Sequence, residues 1–415
     1  MADAPNTVST LNGLFKTVYA KQLEDLVPDF AILQSKVKFE GDSELGSLYA
    51  QPVNLSHEAG FTYGGETGAD STGLLALSLN DAVAGSMKEA QVKGSELVLR
   101  SQILYKALAA ASSTKNEKAF RKATGWKVED MNNSMRKRLE IAMLYGQKGI
   151  ATVSSLSSQD ITITDASWAG GIWAGSENAY IDVFQSDLST VRQAGLKVSA
   201  VNFDTKVVTV VGTTTGRAST DVVFFTGALA SGGAFSEMAG LHKIITNTGT
   251  LFGISAASFS MWKGTTVTSV GQISFAKLAD AVAKAANKGL MEKVLCLLSP
   301  RAYGVLNSDQ AALRVYGAES SKGKNGFESL VFHSANGQIE IVAHPMVKEG
   351  DAFLVPESAL MRIGAADVTF GIPGMQEEFF SLVPAKNAVE LQCYTDQAIF
   401  LERPAHAVHM SGITY

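Results

Sequence analysis

The feature that most limits what this chain can fold into is a long, strongly basic stretch with helical apolar spacing, residues 114–147. Between Lys115 and Lys148 nine Lys/Arg face four Asp/Glu, a local balance of +5 (9 − 4) in a chain whose formal net charge is −5. Val128, Met131, Met135, Leu139, Ala142 and Tyr145 recur every three or four residues, which on a helix makes one narrow apolar stripe. Lys127, Arg136, Lys137, Arg138 and Glu140 occupy the remaining girth. Such a helix is expected to lie across a sheet or a subunit surface, with one edge buried and most of its circumference in solvent. Gly125 is expected to kink it or split off a first turn. Taken alone, the pattern also describes a solvated amphipathic helix of an ordinary domain.

The chain's 415 residues suffice for two or three domains with a buried core. Charged residues make up 18%, below the usual ~25%, with 38 Gly against 9 Pro. That balance predicts a strand-rich, tight-turned protein with uncharged surface available as interface. Cys296 and Cys393 each sit in an apolar run and read as small core residues, not as a disulfide. The opening residues lack the basic-then-apolar layout of a signal peptide. No stretch approaches the ~18 apolar residues of a membrane span. A soluble, reducing compartment is the expectation.

Along the chain, residues 10–27 read as an amphipathic helix ended by Pro28, followed by an arm, 30–39, that docks on its own chain or on a neighbour. Residues 48–53 are extended, and Phe61 and Tyr63 follow after a loop. Residues 64–73 form a tip too rich in Gly and polar groups to pack. Leu75, Leu77 and Leu79 then alternate with Ala76, Ser78 and Asn80 as a half-apolar strand. A last extended run over 87–99 leads into a short helix, 103–111. This is a long hairpin without a core of its own, and a two-stranded ribbon is marginal alone, so its apolar face needs a large partner.

Beyond the basic helix, 149–163 is strand-like and 168–175 a Gly/Trp turn. Short β runs follow at 196–203, 206–211 and 221–225, with a hairpin turn at Asn202-Phe203-Asp204-Thr205. Helix returns over 272–287, and 294–298 reads as a buried strand. Ser299 caps a further helix with Pro300 at its first position. Strands are predicted at 330–332, 339–344, 353–356, 360–363, 389–394 and 398–402, the last two joined by a turn at Thr395-Asp396-Gln397. The fold class is α+β around an irregular sheet.

The sequence carries no catalytic signature. None of the six histidines pairs with another at helical metal-ligand spacing beside an acid, and His406 and His409, three apart in a predicted strand, fall on opposite faces. The five glycines between 60 and 73 have neither a phosphate-loop lysine nor a strand-then-helix context. Cys296 lacks the basic surroundings of a nucleophile, and no Gly-x-Ser-x-Gly elbow is present. The expectation is therefore no enzyme, no cofactor and no metal. The Thr/Val/Gly-rich middle also fits a β-rich adhesin or carbohydrate-binding protein, against which the missing signal peptide counts.

The order of arm, protruding hairpin, basic spine helix and mixed body resembles the major capsid proteins of tailed bacteriophages, the HK97-like fold. The residues that carry the resemblance are Leu139-Glu140-Ile141-Ala142-Met143-Leu144-Tyr145-Gly146-Gln147 at the end of the spine helix, Leu297-Leu298-Ser299-Pro300-Arg301-Ala302-Tyr303, and the hairpin return from Val92 to Arg100. The resemblance implies an N-terminal arm (1–44), an extended loop (45–100), and a peripheral domain (101–167, completed by 386–415). It further implies a small inserted β-rich module (168–241) and an axial domain (242–385). It implies self-assembly into hexamers and pentamers of an icosahedral shell around double-stranded DNA in a virion, assembled in the host cytoplasm. A portal, a possible decoration protein and, because no charged helical leader is present, a separate scaffolding protein would be partners. Inter-subunit contact would fall on Leu75, Leu77, Leu79, Phe61 and Tyr63, and DNA would face Arg136, Lys137 and Arg138. The tip has no lysine, so a covalent loop cross-link is not carried over. An encapsulin-type compartment of the same fold is the alternative.

Overall fold

The structure, a computed structural model, describes residues 31–41, 48–63, 78–106, 117–212, 216–308, 321–322, 328–334, 337–370, 380–383 and 386–415. The helix expected over 10–27 lies outside them. In chain order, helix α1 (Ile32–Lys36) leads to β1 (Phe39–Glu40), β2 (Tyr49–Ser56), β3 (Ser86–Val92) and β4 (Ser95–Leu104). The spine helix α2 (Glu117–Tyr145) precedes β5 (Ala151–Ser157), β6 (Asp160–Ile163), α3 (Gly170–Trp173), β7 (Tyr180–Phe184), β8 (Val191–Asn202), β9 (Val207–Val211) and β10 (Val222–Phe225). Next come α4 (Leu241–Ile245), β11 (Thr250–Leu251), β12 (Ile254–Ser255), β13 (Thr265–Val267), β14 (Gly271–Gln272), α5 (Phe275–Ala286), β15 (Val294–Leu298) and α6 (Pro300–Asn307). The chain closes with β16 (Ser321–Lys322), β17 (Glu328–Ser334), β18 (Gly337–Ala343), β19 (Asp351–Pro356), β20 (Leu360–Thr369), β21 (Phe380–Leu382), β22 (Ala388–Leu401), β23 (Val408–Ser411) and β24 (Ile413–Thr414).

Three sheets organise the body. One runs β1-β20-β22-β21 with β4 also on β22; the largest runs β13-β23-β19-β15-β18-β17-β16; and β10-β5-β6-β9-β8-β7 closes into a barrel. The β15 run Val-Leu-Cys-Leu-Leu is buried at every position because both faces of its sheet are covered. Leu295 and Leu297 join the core shared with α2 and the barrel, while Val294, Cys296 and Leu298 meet α5 and α6. A strand buried on both faces reads as a continuous apolar run, which is how it was recognised. Ser299 caps α6 as expected, its hydroxyl accepting from the Ala302 amide at 3.2 Å, and Asn202 Oδ1 accepts from Asp204 and Thr205 at the β8–β9 turn.

Several expectations are corrected. The spine helix runs through Gly125 without a break. Its last two turns are enclosed rather than half-solvated: Leu139, Glu140, Ile141, Met143, Leu144 and Tyr145 are all buried. The helix end fits there because Gly146 packs on Gly240, whose amide donates to the Gly146 carbonyl at 3.0 Å. A Cβ on Gly240 would lie 2.5 Å from the Gly146 nitrogen. The barrel begins at Ala151, inside the stretch assigned to the peripheral domain, since β5 and β6 pair with β10 and β9. Strands β20 and β23 also cross the expected boundaries: β20 pairs with β22, and β23 with β13 and β19. No turn interrupts β22. Thr395 and Gln397 are buried within it, and the Gln397 amide donates to the Thr395 hydroxyl at 2.7 Å. His406 lies in a short 3-10 turn and His409 in β23, so they share no strand.

The end of the arm docks on its own chain. Glu140, fully buried with His344, accepts from the Leu33 amide at 2.5 Å, the Gln34 amide at 3.1 Å and His344 Nε2 at 2.8 Å. The Met346 amide donates to His344 Nδ1, which fixes Nε2–H as the donor to Glu140. The carboxylate thus caps the first turn of α1 from another element, where unsatisfied amides favour negative charge. Lys36 and Lys293 reach opposite oxygens of Glu340 at 2.6 and 2.5 Å, and Arg362 Nε donates to the Val37 carbonyl. Glu140→Gln replaces one accepting oxygen by a donor facing amides. It is expected to cost about 1–3 kcal/mol in chemical denaturation and to raise hydrogen exchange at Leu33 and Gln34; unchanged protection at those two amides would contradict the capping role.

Candidate assembly surface

Strands β2 and β3 pair antiparallel from Tyr49↔Val92 to Asn54↔Met87, then shift register to Ser56↔Ser86. Paired contacts continue past the strands. The Ala59 amide donates to the Val83 carbonyl at 3.0 Å, the Asn80 amide to Thr62 Oγ1 at 2.8 Å, and Asn80 Nδ2 to the Phe61 carbonyl at 2.8 Å. Among the described residues, the root of this ribbon rests on the body. Ala90 and Val92 are buried, Tyr49 meets the edge of Phe400, and the Gln91 amide donates to the Phe252 carbonyl. Further out, Phe61 is 68% exposed, Tyr63 90%, Leu79 76%, Val83 52% and Met87 77%.

Two of the three leucines singled out, Leu75 and Leu77, lie outside the described residues. Leu79 is exposed, but the chain around it is not a regular strand; Asn80 ties it back to Phe61 and Thr62 instead. Val83 and Met87 join the exposed apolar set without having been singled out. The available signal was an apolar residue on a ribbon segment remote from the body, which alternation alone does not give. The return of the hairpin is also shorter than expected. The chain turns at Lys93-Gly94, and β4 leaves the ribbon to pair with β22 over Ser95↔Gln397 to Leu104↔Ala388. Ile103 and Leu104 therefore end a strand rather than begin a helix.

Lys137 and Arg138 of α2 occupy a different setting from the one expected of a DNA-facing row. The Lys137 ammonium donates to the Ala174 carbonyl, and burial, then the adjacent Arg138, brings its pKa down to about 8. The Arg138 guanidinium lies over the Phe225 ring, 3.2 Å from its centre, and burial lowers it to about 10. Both side chains join the helix to the α3–barrel region within one chain. Arg136 is partly buried, and its carbonyl accepts from Gln34 Nε2.

A charged clamp roots the hairpin. Glu390 on β22 accepts from Arg100 Nε and Nη2 at 2.7 and 2.6 Å, from Gln102 at 2.9 Å and from Gln392 at 2.6 Å. The Arg100 hydrogen bonds, with those of the two glutamines, outweigh burial and hold the Glu390 carboxyl down at about 2. No transmembrane-length apolar helix occurs among the described residues.

No protein-family model matches the sequence, and no curated protein matches it in sequence. Solved structures do match. The capsid asymmetric unit of cyanophage A-1(L) aligns over 99% of this chain and 100% of its own, at 10% identity and a TM-score of 0.52. A capsid protein of a native GTA particle aligns over 99% and 100% at 9% identity, with a TM-score of 0.48. An encapsulin from Synechococcus elongatus aligns over 99% of both chains at 9% identity, with a TM-score of 0.45. The chain has the HK97-like fold of the phage capsid proteins.

Because Glu390 titrates lower folded than unfolded, its contribution is present above the ordinary carboxylate range near 4.5 and is lost as pH falls through about 2. Between those values the β4–β22 pairing is expected to weaken. Glu390→Gln should lower the neutral-pH melting temperature and flatten its acid slope; an unaltered pH profile would remove the clamp from the account.

Proposed function

We propose that this chain is the major capsid protein of a tailed double-stranded DNA bacteriophage. It forms hexamers and pentamers of an icosahedral shell, part of a virion assembled in the host cytoplasm. The observation that carries the reading is the β2–β3 ribbon, whose outer half presents Phe61, Tyr63, Leu79, Val83 and Met87 to solvent. The fold shared along nearly the whole chain with a cyanophage capsid protein supports it. Burying one such side chain fully is worth roughly 1.5–3 kcal/mol, so several on a neighbouring subunit stabilise a contact strongly. In this reading the barrel is an insertion into the body, and the packaged genome is held by sequence-independent phosphate attraction. A separate scaffolding protein, a portal and a decoration protein are its proposed partners.

Phe61, Tyr63 and Leu79 changed together to Ser are expected to leave circular dichroism and the subunit's thermal transition near wild type while closed particles vanish from micrographs. The same is expected of Leu75, Leu77 and Leu79 changed to Ser. Outright unfolding of either variant would return the ribbon to its own domain's core. In sedimentation, a single species near 44 kDa at all concentrations would end the shell reading.

Arg136, Lys137 and Arg138 are proposed to divide their roles. Lys137→Ala and Arg138→Ala are expected to lower subunit stability, by about 1–3 kcal/mol each, because they hold the helix to Ala174 and Phe225. Arg136→Ala is expected to reduce DNA retention in filled particles most at low salt, with the difference from wild type shrinking as salt rises. Retention unchanged by Arg136→Ala across ionic strengths would leave that residue with no part in DNA contact.

A further inference from the structure

Three residues far apart in sequence meet where α4, β19 and β23 converge. Asp351 opens β19, His409 lies in the paired strand β23, and His242 lies on α4 just after the Gly146–Gly240 contact. His409 Nε2 lies 3.2 Å from Asp351 Oδ1, and the rings of His242 and His409 are 4.4 Å apart. One ligand-capable atom from each residue lies within 4.8 Å of the other two. The side chain of Asp351 is 15% exposed and that of His409 4%, an enclosed site with an opening on the carboxylate side.

We propose that His242, Asp351 and His409 form a structural transition-metal site, suited to Zn²⁺, that clamps α4 to the largest sheet. Two imidazoles and a carboxylate are borderline ligands that suit Zn²⁺, and tetrahedral bonds of about 2.0–2.2 Å put ligand atoms a little over 3 Å apart. The Asp351–His409 pair already has that spacing, and the third ligand needs a shift of about an ångström to close the set. The second Asp351 oxygen accepts from the Tyr145 hydroxyl at 3.3 Å, an outer hydrogen bond of the kind that orients a ligating carboxylate. Tyr145 in turn accepts from the Lys348 amide at 2.8 Å.

The groups opposing a dication are Lys148 and Lys348. The Lys348 ammonium donates to the Gly149 carbonyl at 2.8 Å and lies 4.1 Å from the Tyr145 ring centre. The His409 Nδ1 atom is buried without a hydrogen-bond partner, so the Asp351 contact alone leaves this histidine half satisfied. All three ligands belong to one chain, so the site's metal content does not depend on what the chain assembles into.

The test uses the full-length, tag-free chain, stripped with a chelator and titrated with Co²⁺ and Zn²⁺ separately. The expected result is close to one metal per chain, a visible cobalt spectrum of low-coordinate type, and a melting temperature raised by Zn²⁺ as for any ligand of the folded state. His242→Asn and His409→Asn should each lower affinity by about tenfold or more, since even losing a group that only orients a ligand costs that much. A folded wild-type chain with no cobalt band and the same melting temperature in zinc and in chelator would overturn the proposal. So would variants that bind as the wild type does. If either variant fails to fold, the wild-type titration decides alone.

Discussion

The carboxylate of Glu140 is the constraint around which the body is arranged. It is a fully buried acid on a helix whose other charges are mostly basic, and an unpaired ion at that depth would cost several kcal/mol. Two backbone amides of α1 and the His344 ring satisfy it together. The donors come from two distant parts of the chain: the arm on one side, the segment after β18 on the other. The spine helix, the arm and the largest sheet are therefore fixed relative to one another by one side chain. Hydrophobic contact is non-directional and fixes no such angle by itself.

Burial of the last turns of α2 has a second consequence. Lys137, Arg138 and Tyr145 all emerge from the enclosed part of the helix, and each meets a group from another element: Ala174, Phe225 and Asp351. The basic character of the helix is thus partly internal wiring to the barrel and to β19. A count of nine cations against four acids says nothing of this, because charge summed along a sequence carries no direction.

What was legible in the sequence follows the same division. Signals carried by neighbours in the chain came through: the all-apolar β15, the Ser299-Pro300 cap of α6, the Asn202 turn, and the order of arm, hairpin, spine helix and body. Signals set by distant residues did not. Thr395-Asp396-Gln397 has the composition of a turn, yet Arg362 and Asp367 supply side-chain bonds to Gln397, and the triplet continues a strand. Asp351 and His409 are brought together by the β19–β23 pairing, His242 arrives from more than a hundred positions earlier on α4, and a search for helical ligand spacing passes over them. The barrel's first strands, β5 and β6, were legible as strand over 149–163, but their membership of the barrel was not, because it is set by pairing with the distant β10 and β9.

The ribbon sets the opposite problem from Glu140. An acid in the core is satisfied inside one subunit, whereas Phe61, Tyr63, Leu79, Val83 and Met87 keep half or more of their surface exposed. Charged residues such as Lys88 and Glu89 interleave with them on β3, and such charges discourage indiscriminate edge-to-edge pairing. A ribbon with a few apolar side chains spaced along a polar frame binds a shaped surface in one register and resists sticking to others of its kind. The β4–β22 pairing and the Glu390 clamp hold the chain next to its root, so in the proposed shell the free energy of a contact made at its far end would be transmitted to the body rather than lost in a loose tether. Rooting and exposure are therefore two halves of one design: without the clamp, ordering the ribbon on a neighbour would cost conformational entropy that a handful of apolar contacts does not exceed by much.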